Sequence, residues 1–229
     1  MPETELILSG NITAELRRKP IRHIYIRIYP PDGRIVVSAP TRMSGKAITD
    51  FLSSKSNWIA KQLDKMKASP QEKPKSYTDG EYHYYAGKKH VLYIVENRSG
   101  SGVYLSDNKI IMNIGQGLDR DGREKLLYDW YRQKLSNKLP GLLEKWELIM
   151  GLKVSEIRFR KMKTRWGTCN TSERRIWISL ELAKYHDSIL EYILVHEMTH
   201  LLERKHNKRF YSLMDNFLPD WRERKKSMY

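Results

Sequence analysis

The chain contains a single cysteine, Cys169, among 229 residues. One thiol forms no intramolecular disulfide and builds no cysteine-based zinc cluster. A metal, if one is bound, must then rest on histidine and carboxylate ligands. The near-absence of cysteine also suits a reducing compartment, and the expected location is the cytoplasm. Long apolar runs are missing as well. No stretch approaches the ~18 residues needed to span a bilayer. The first ten residues, MPETELILSG, carry two glutamates and only a short apolar stretch, so no secretory signal is expected. A phosphate-binding P-loop is also absent.

Acidic residues are outnumbered, 27 Asp and Glu against 42 Lys and Arg, for a net charge of +15. The excess is spread over both halves and forms no basic tail. It favours anionic partners, with nucleic acid or nucleotides among them, or simply a basic soluble surface. Hydrophobic residues make up 40% and charged residues 30%, the balance of a soluble globular protein. The sequence carries no signal of oligomeric state.

The pattern along the chain predicts an α+β fold. His23–Ile28 and Arg34–Ser38 alternate as strands around Tyr29-Pro30-Pro31-Asp32-Gly33, a turn sequence, and so predict a hairpin. One helix is expected from about Ser44 to Lys67, where Ile48, Phe51, Leu52, Trp58, Ile59 and Leu63 recur at helical spacing. Residues 68–78 read as a polar linker with two prolines. Four short strands follow, at 81–85, 89–95, 102–105 and 109–114. A long helical pattern begins at Arg123 and is interrupted at Pro140-Gly141. The composition change there places the expected domain boundary near residue 120. It separates a β-rich N-terminal domain, 1–120, from a second domain, 121–229. Strands at 156–163 and 175–180 flank a turn or bulge at Gly167 and Asn170. A helix starting at Asp187 or Ser188 and a last helix at 208–217 complete the pattern. No repeat is visible.

His196-Glu197-Met198-Thr199-His200 is an HExxH motif inside the apolar helix. Residues four apart nearly overlie one another on a helix, so both imidazoles leave from one face and suit one zinc. Glu197 is placed to take a proton from the zinc-bound water and return it to a leaving group. A catalytic zinc usually has a third protein ligand. Glu203 lies on the same face if the helix continues, and spacing alone slightly favours it. His206 qualifies only if the helix ends near Arg204.

HEMTHLLERKHNKRF resembles the HExxH-x5-H-x3-F signature of the YgjP-like metal-dependent hydrolases, which are classed with zinc metallopeptidases. Lys161–Cys169, KMKTRWGTC, resembles that family's K-x-RWGSC segment, and Trp177–Leu180 its following strand. Thr168 stands where serine is commoner, and Tyr211 where tryptophan often follows the Phe. The resemblance implies His196, His200 and His206 as metal ligands, Glu197 as base, and a small zincin-like catalytic domain over 121–229. It implies zinc, with manganese or another divalent ion as alternatives. Metzincins share the spacing but place glycine where this chain has Glu203, so the turn here must be built differently.

Three functions compete. A metallopeptidase would cleave peptide or protein substrates, aligned on an edge strand within 170–179. Members of the resembled family have been described as nucleotide pyrophosphohydrolases acting on UTP, which the positive charge suits. The third reading is a nucleic-acid-associated protein with a structural metal site. Arg165 is a candidate for holding a carboxylate or phosphate, or for a structural bond to a carbonyl or carboxylate. Trp166 and Cys169 read as packing residues, and His23, His83, His90 and His186 as surface or packing residues.

Overall fold

The protein is described from a computed structural model, which covers residues 5–29, 32–68, 75–97 and 100–228. It is a mixed α+β protein with three small sheets and, among the described residues, six α-helices. None of the helices is long and apolar enough to cross a membrane.

The chain divides into two compact units, Met1–Lys75 and Ser76–Tyr229. The division lies well before the expected boundary near residue 120. The switch from strands to helix at that point falls inside one core. Leu92, Ile110, Met112 and Ile114 from the strands are buried in the same cluster as Leu127, Tyr131 and Leu135 from the helix that follows.

The first unit holds β1 (Glu5–Ser9), β2 (Ile12–Lys19), β3 (Tyr25–Tyr29) and β4 (Arg34–Pro40) in the order β1-β2-β4-β3. The expected hairpin is β3–β4, antiparallel, with Ile26 opposite Val37. Pro30 and Pro31 of its turn lie outside the described residues, as do 69–74 of the expected linker. Two strands precede this hairpin and close the sheet; β2 runs parallel to β4. The single helix expected over 44–67 is two, α1 (Gly45–Ser54) and α2 (Ser56–Ala68). Lys55 leaves helical geometry between them and its N–H bonds to Leu52 and Ser53 carbonyls. Helical spacing survives a one-residue break, so the periodicity alone does not reveal it. Ile48, Leu52 and Ile59 pack on Leu16, Val37 and Ala39 of the sheet.

The second unit begins with β5 (Tyr82–Tyr85), β6 (Lys88–Glu96), β7 (Gly102–Ser106) and β8 (Lys109–Ile114), ordered β5-β6-β8-β7. The order and strand senses repeat those of the first sheet: antiparallel, parallel, antiparallel. Topology thus recurs where the sequence shows no repeat. A sheet needs only period-2 alternation, which many unrelated sequences satisfy.

Helix α3 (Arg120–Met150) is continuous through Pro140, contrary to the expected interruption. Leu135 and Leu139 before the proline and Trp146 and Met150 after it are all buried in one core, and this holds the helix axis together. Asp119 caps its start by accepting from the Gly122 N–H at 2.8 Å, and Gly151, at φ 62°, ends it in the left-handed conformation glycine tolerates. Tyr131 donates to the Tyr84 carbonyl at 2.7 Å, tying α3 to the sheet.

The third sheet, β10-β11-β9, combines β9 (Glu156–Arg160), β10 (Gly167–Asn170) and β11 (Arg175–Ser179). The segment expected as a turn or bulge at Gly167 is the edge strand β10, antiparallel to β11. A 3-10 segment, Leu180–Lys184, leads into α4 (Asp187–Thr199), then α5 (Lys208–Phe217) and α6 (Trp221–Lys226). Helix α5 has the bounds expected from the sequence; α6 was not foreseen. His186 caps α4, its Nδ1 accepting from the Ser188 N–H at 3.2 Å. His83 and His90 are buried packing residues, and His23 is on the surface.

Glu124 of α3 accepts from Tyr77 at 2.9 Å, from Arg120 at 3.0 Å and from Lys161. The Lys161 ammonium is the largest cause holding its carboxyl down at about 2, well under the ordinary 4.5. A depressed carboxylate stabilises the fold fully above its ordinary value and loses that contribution as pH falls towards 2. Glu124→Gln is expected to lower stability by about 1–3 kcal/mol at pH 7. In thermal melts across pH, the gap to wild type should close between about 4.5 and about 2.

Candidate metal centre

Helix α4 stops at Thr199, a turn earlier than the expected break near Arg204. The Thr199 hydroxyl donates to the Val195 carbonyl at 2.7 Å, and the Leu202 and Glu203 N–H groups turn back onto the Thr199 carbonyl. The Glu203 carboxylate accepts from the Lys205 N–H at 3.0 Å, so it shapes the turn. Asn207 then caps α5 by accepting from the Phe210 N–H at 3.0 Å. This reversal supplies what a metzincin-type glycine would otherwise provide, and it returns His206 to the face carrying His196 and His200.

The three imidazoles converge. One ring nitrogen from each of His196, His200 and His206 lies within 4.8 Å of the others, and His196 Nε2 is 3.0 Å from His206 Nε2. Glu203 is not part of this group among the described residues. Phe210, fully buried, packs under all three rings, with centroid distances of 5.0, 4.8 and 4.7 Å to His196, His200 and His206. The Phe of the sequence signature is therefore the floor of the cluster, a role spacing alone does not reveal. Tyr192 meets the other side of His196, edge-on at 6.0 Å.

The donor set suits a cation. Burial, followed by the neighbouring His200 and His206, lowers His196 to a pKa of about 3. Burial likewise lowers His200. Neutral imidazoles keep lone pairs free for a metal. His200 Nδ1 lies 3.2 Å from the Glu203 carbonyl, so an N–H there leaves Nε2 as the donor.

Glu197 is 6% exposed, and burial pushes its carboxyl up to about 8, opposed by the nearby Arg165. It rests against the backbone of β10. A Cβ on Gly167 would lie 2.8 Å from both Cγ and Oε1 of Glu197, so only glycine leaves room for that carboxyl. Cys169, on the same strand, is pushed up to about 11 by burial and then by Glu197. Its thiol stays protonated and packs on the core. Trp166 also packs there, edge-on to Tyr185 at 5.0 Å, and its carbonyl accepts from Ser179.

These groups open onto a cavity of about 730 Å³. Arg165, Arg204 and Lys225 line it, and Glu197 is the one acidic side chain in its wall. The structural bond considered for Arg165 is not made: among the described residues its guanidinium donates to no carbonyl or carboxylate. Lys225 stands on the other side, close enough to His196 to contribute to its lowered pKa. Tyr211 and Trp221, stacked at 5.8 Å, form a further part of the wall. None of Arg204, Lys225 and Trp221 carried a signal in the sequence, because they come from separate segments.

Comparison with known proteins bears on this arrangement. No curated protein matches the chain. Among solved structures, the crystal structure of the metallopeptidase zymogen of Pyrococcus abyssi abylysin is similar at a TM-score of 0.36 and 22% identity. That match covers 38% of this chain and 89% of the other. A family model described as YgjP-like, metallopeptidase domain, matches residues 22–229, nearly the whole chain. The chain therefore belongs to the YgjP-like metallopeptidase family, and it is a metal-dependent hydrolase.

Proposed function

We propose that the protein is a zinc-dependent metallopeptidase in which His196, His200 and His206 hold the metal and Glu197 is the general base. The observation that carries this reading is the meeting of three imidazoles, with burial keeping His196 and His200 neutral, beside a buried carboxyl. Three nitrogen donors and room for a fourth, exchangeable ligand are the coordination pattern of a hydrolytic zinc. A divalent ion there supplies the Lewis acidity that polarises a carbonyl and makes water nucleophilic near neutral pH.

The chain's own groups do the rest. A carboxylate oxygen of Glu197 accepts a proton from the attacking water and returns it to the leaving nitrogen. Gly167 lets that carboxyl sit against the strand, and Phe210 keeps the imidazoles from rotating away. Strand β10 lies at the edge of its sheet, and Gly167, Thr168 and Cys169 line the cavity. An extended peptide added along β10 would present its backbone to this centre.

A second reading, hydrolysis of a nucleoside triphosphate at the same centre, is favoured by one observation. Three cations, Arg165, Arg204 and Lys225, line the cavity against one acidic side chain, Glu197. Guanidinium and ammonium groups placed this way suit phosphate oxygens as well as carboxylates.

Four variants test these assignments. Glu197→Gln should lower cleavage of an unfolded protein substrate by about 10²–10⁴-fold while zinc content stays unchanged. Loss of UTP hydrolysis in that variant, with no peptide cleavage by wild type, would move the assignment to the triphosphate. His206→Ala should weaken zinc binding by more than about 100-fold in a chelator titration, whereas Glu203→Ala should leave it within about tenfold. The reverse order would make Glu203 the ligand. Gly167→Ala should retain zinc and lower kcat by about 10²-fold, because the added methyl displaces the base.

A further inference from the structure

The outer face of the β5–β8 sheet has an unusual composition. Strand alternation turns His83, Leu92, Ile110 and Met112 towards the core. The alternate positions turn Tyr82, Tyr84, Lys89, Tyr93, Tyr104 and Lys109 the other way. The four tyrosines are each 45–49% exposed. A solvated sheet face is ordinarily polar, and four half-exposed aromatic rings on one such face call for a partner. Lys89 Nζ stands 4.1 Å from the Tyr82 ring centre, and Lys109 Nζ 5.6 Å from that of Tyr93. No position of this face within the four strands holds Asp or Glu.

We propose that this face binds single-stranded nucleic acid, with the tyrosine rings stacking on bases and the lysines meeting phosphates. The rings span the sheet from one edge to the other. Tyr82 and Tyr84 are on the edge strand β5. Tyr93 on β6 and Tyr104 on the opposite edge strand β7 flank Ile111 of β8 on either side. Tyr82 and Tyr84 are roughly 7 Å apart along the strand, a spacing that separates two bases. Base–aromatic stacking needs unpaired bases, since a duplex keeps its base faces covered. Charge selects the same partner. The chain carries +15, and the face holds two of its ammonium groups with no acid among them. A second copy of this chain is a poor occupant. Self-pairing across a two-fold axis would set lysines against the same unneutralised lysine face.

The first unit's sheet has the same topology but not the same face. There Glu15 accepts from Arg17 and from Arg34 at 3.0 Å each, so two of that face's cations are already paired. Tyr25, 52% exposed on that sheet, serves as a control position.

The test uses the full-length chain and a labelled, unstructured single strand of about 16 nucleotides, as DNA and as RNA. Fluorescence anisotropy across a salt series gives affinity and slope. Tyr93→Ala and Tyr104→Ala should each weaken binding by about 5- to 150-fold, the loss of one stacked base. Tyr93→Phe should retain binding, and Tyr25→Ala should change nothing. Replacing Lys89 and Lys109 together by Gln should flatten the salt slope by roughly 1.4, two phosphate contacts on a single strand. Thermal melts establish that each variant is folded. Three results would overturn the proposal. One is binding unchanged in folded Tyr93→Ala and Tyr104→Ala. Another is a matching duplex bound as tightly as the single strand. The last is self-association of the chain that the same tyrosine variants abolish.

Discussion

The site depends on one chain reversal. Helix α4 must end at Thr199 and α5 must start at Lys208, or His206 does not reach His196. The reversal is held by local bonds. The Thr199 carbonyl takes two N–H groups, the Glu203 carboxylate takes the Lys205 N–H, and Asn207 caps the next helix. Each satisfies a backbone group that a helix end leaves open. Phe210 then anchors the first turn of α5 in the core while lying against all three imidazoles. Fold stability and site geometry thus share one side chain.

Burial sets the chemistry of the same region. The tight approach of β10 to α4, which only Gly167 permits, removes Glu197 from water and raises its carboxyl pKa. The same desolvation lowers His196 and His200, so the imidazoles stay neutral. A carboxyl readier to hold a proton and imidazoles readier to release one stand side by side. Water could not arrange this; a packed helix–strand contact does. Three cations line the cavity against the single carboxyl of Glu197, which leaves positive charge for a ligand to meet.

The two units show how little a sheet topology asks of its sequence. Both sheets follow the same order and strand senses, yet their solvent faces differ in kind: one has paired Arg and Glu side chains, the other tyrosines and lysines without acids. Core-facing positions obey the alternation that the topology needs. Outward positions are free to vary.

Much was legible in the sequence because it depends on local spacing. Period-2 and period-3.6 patterns located the β3–β4 hairpin, strands β5 to β8 and helix α5. The i, i+4 spacing of His196 and His200 placed two imidazoles on one face, and signature resemblance pointed to His206. Spacing alone slightly favoured Glu203, because it assumed a helix that runs on. What ends α4 early is a set of bonds among Thr199, Glu203 and Asn207, none of which has a periodicity. The continuity of α3 through Pro140 was hidden in the same way, since burial on both sides of the proline decides it. So was the division at residue 75, because strands and helix that change composition at 120 share one core. The sequence by itself singled out His196, Glu197, His200 and, through the resemblance, His206 as candidates for the metal chemistry. Only the tertiary structure decided that Gly167 admits Glu197, that Phe210 supports the three histidines and that Arg165, Arg204 and Lys225 share one cavity. Those relations join residues far apart along the chain, and only packing brings them within reach.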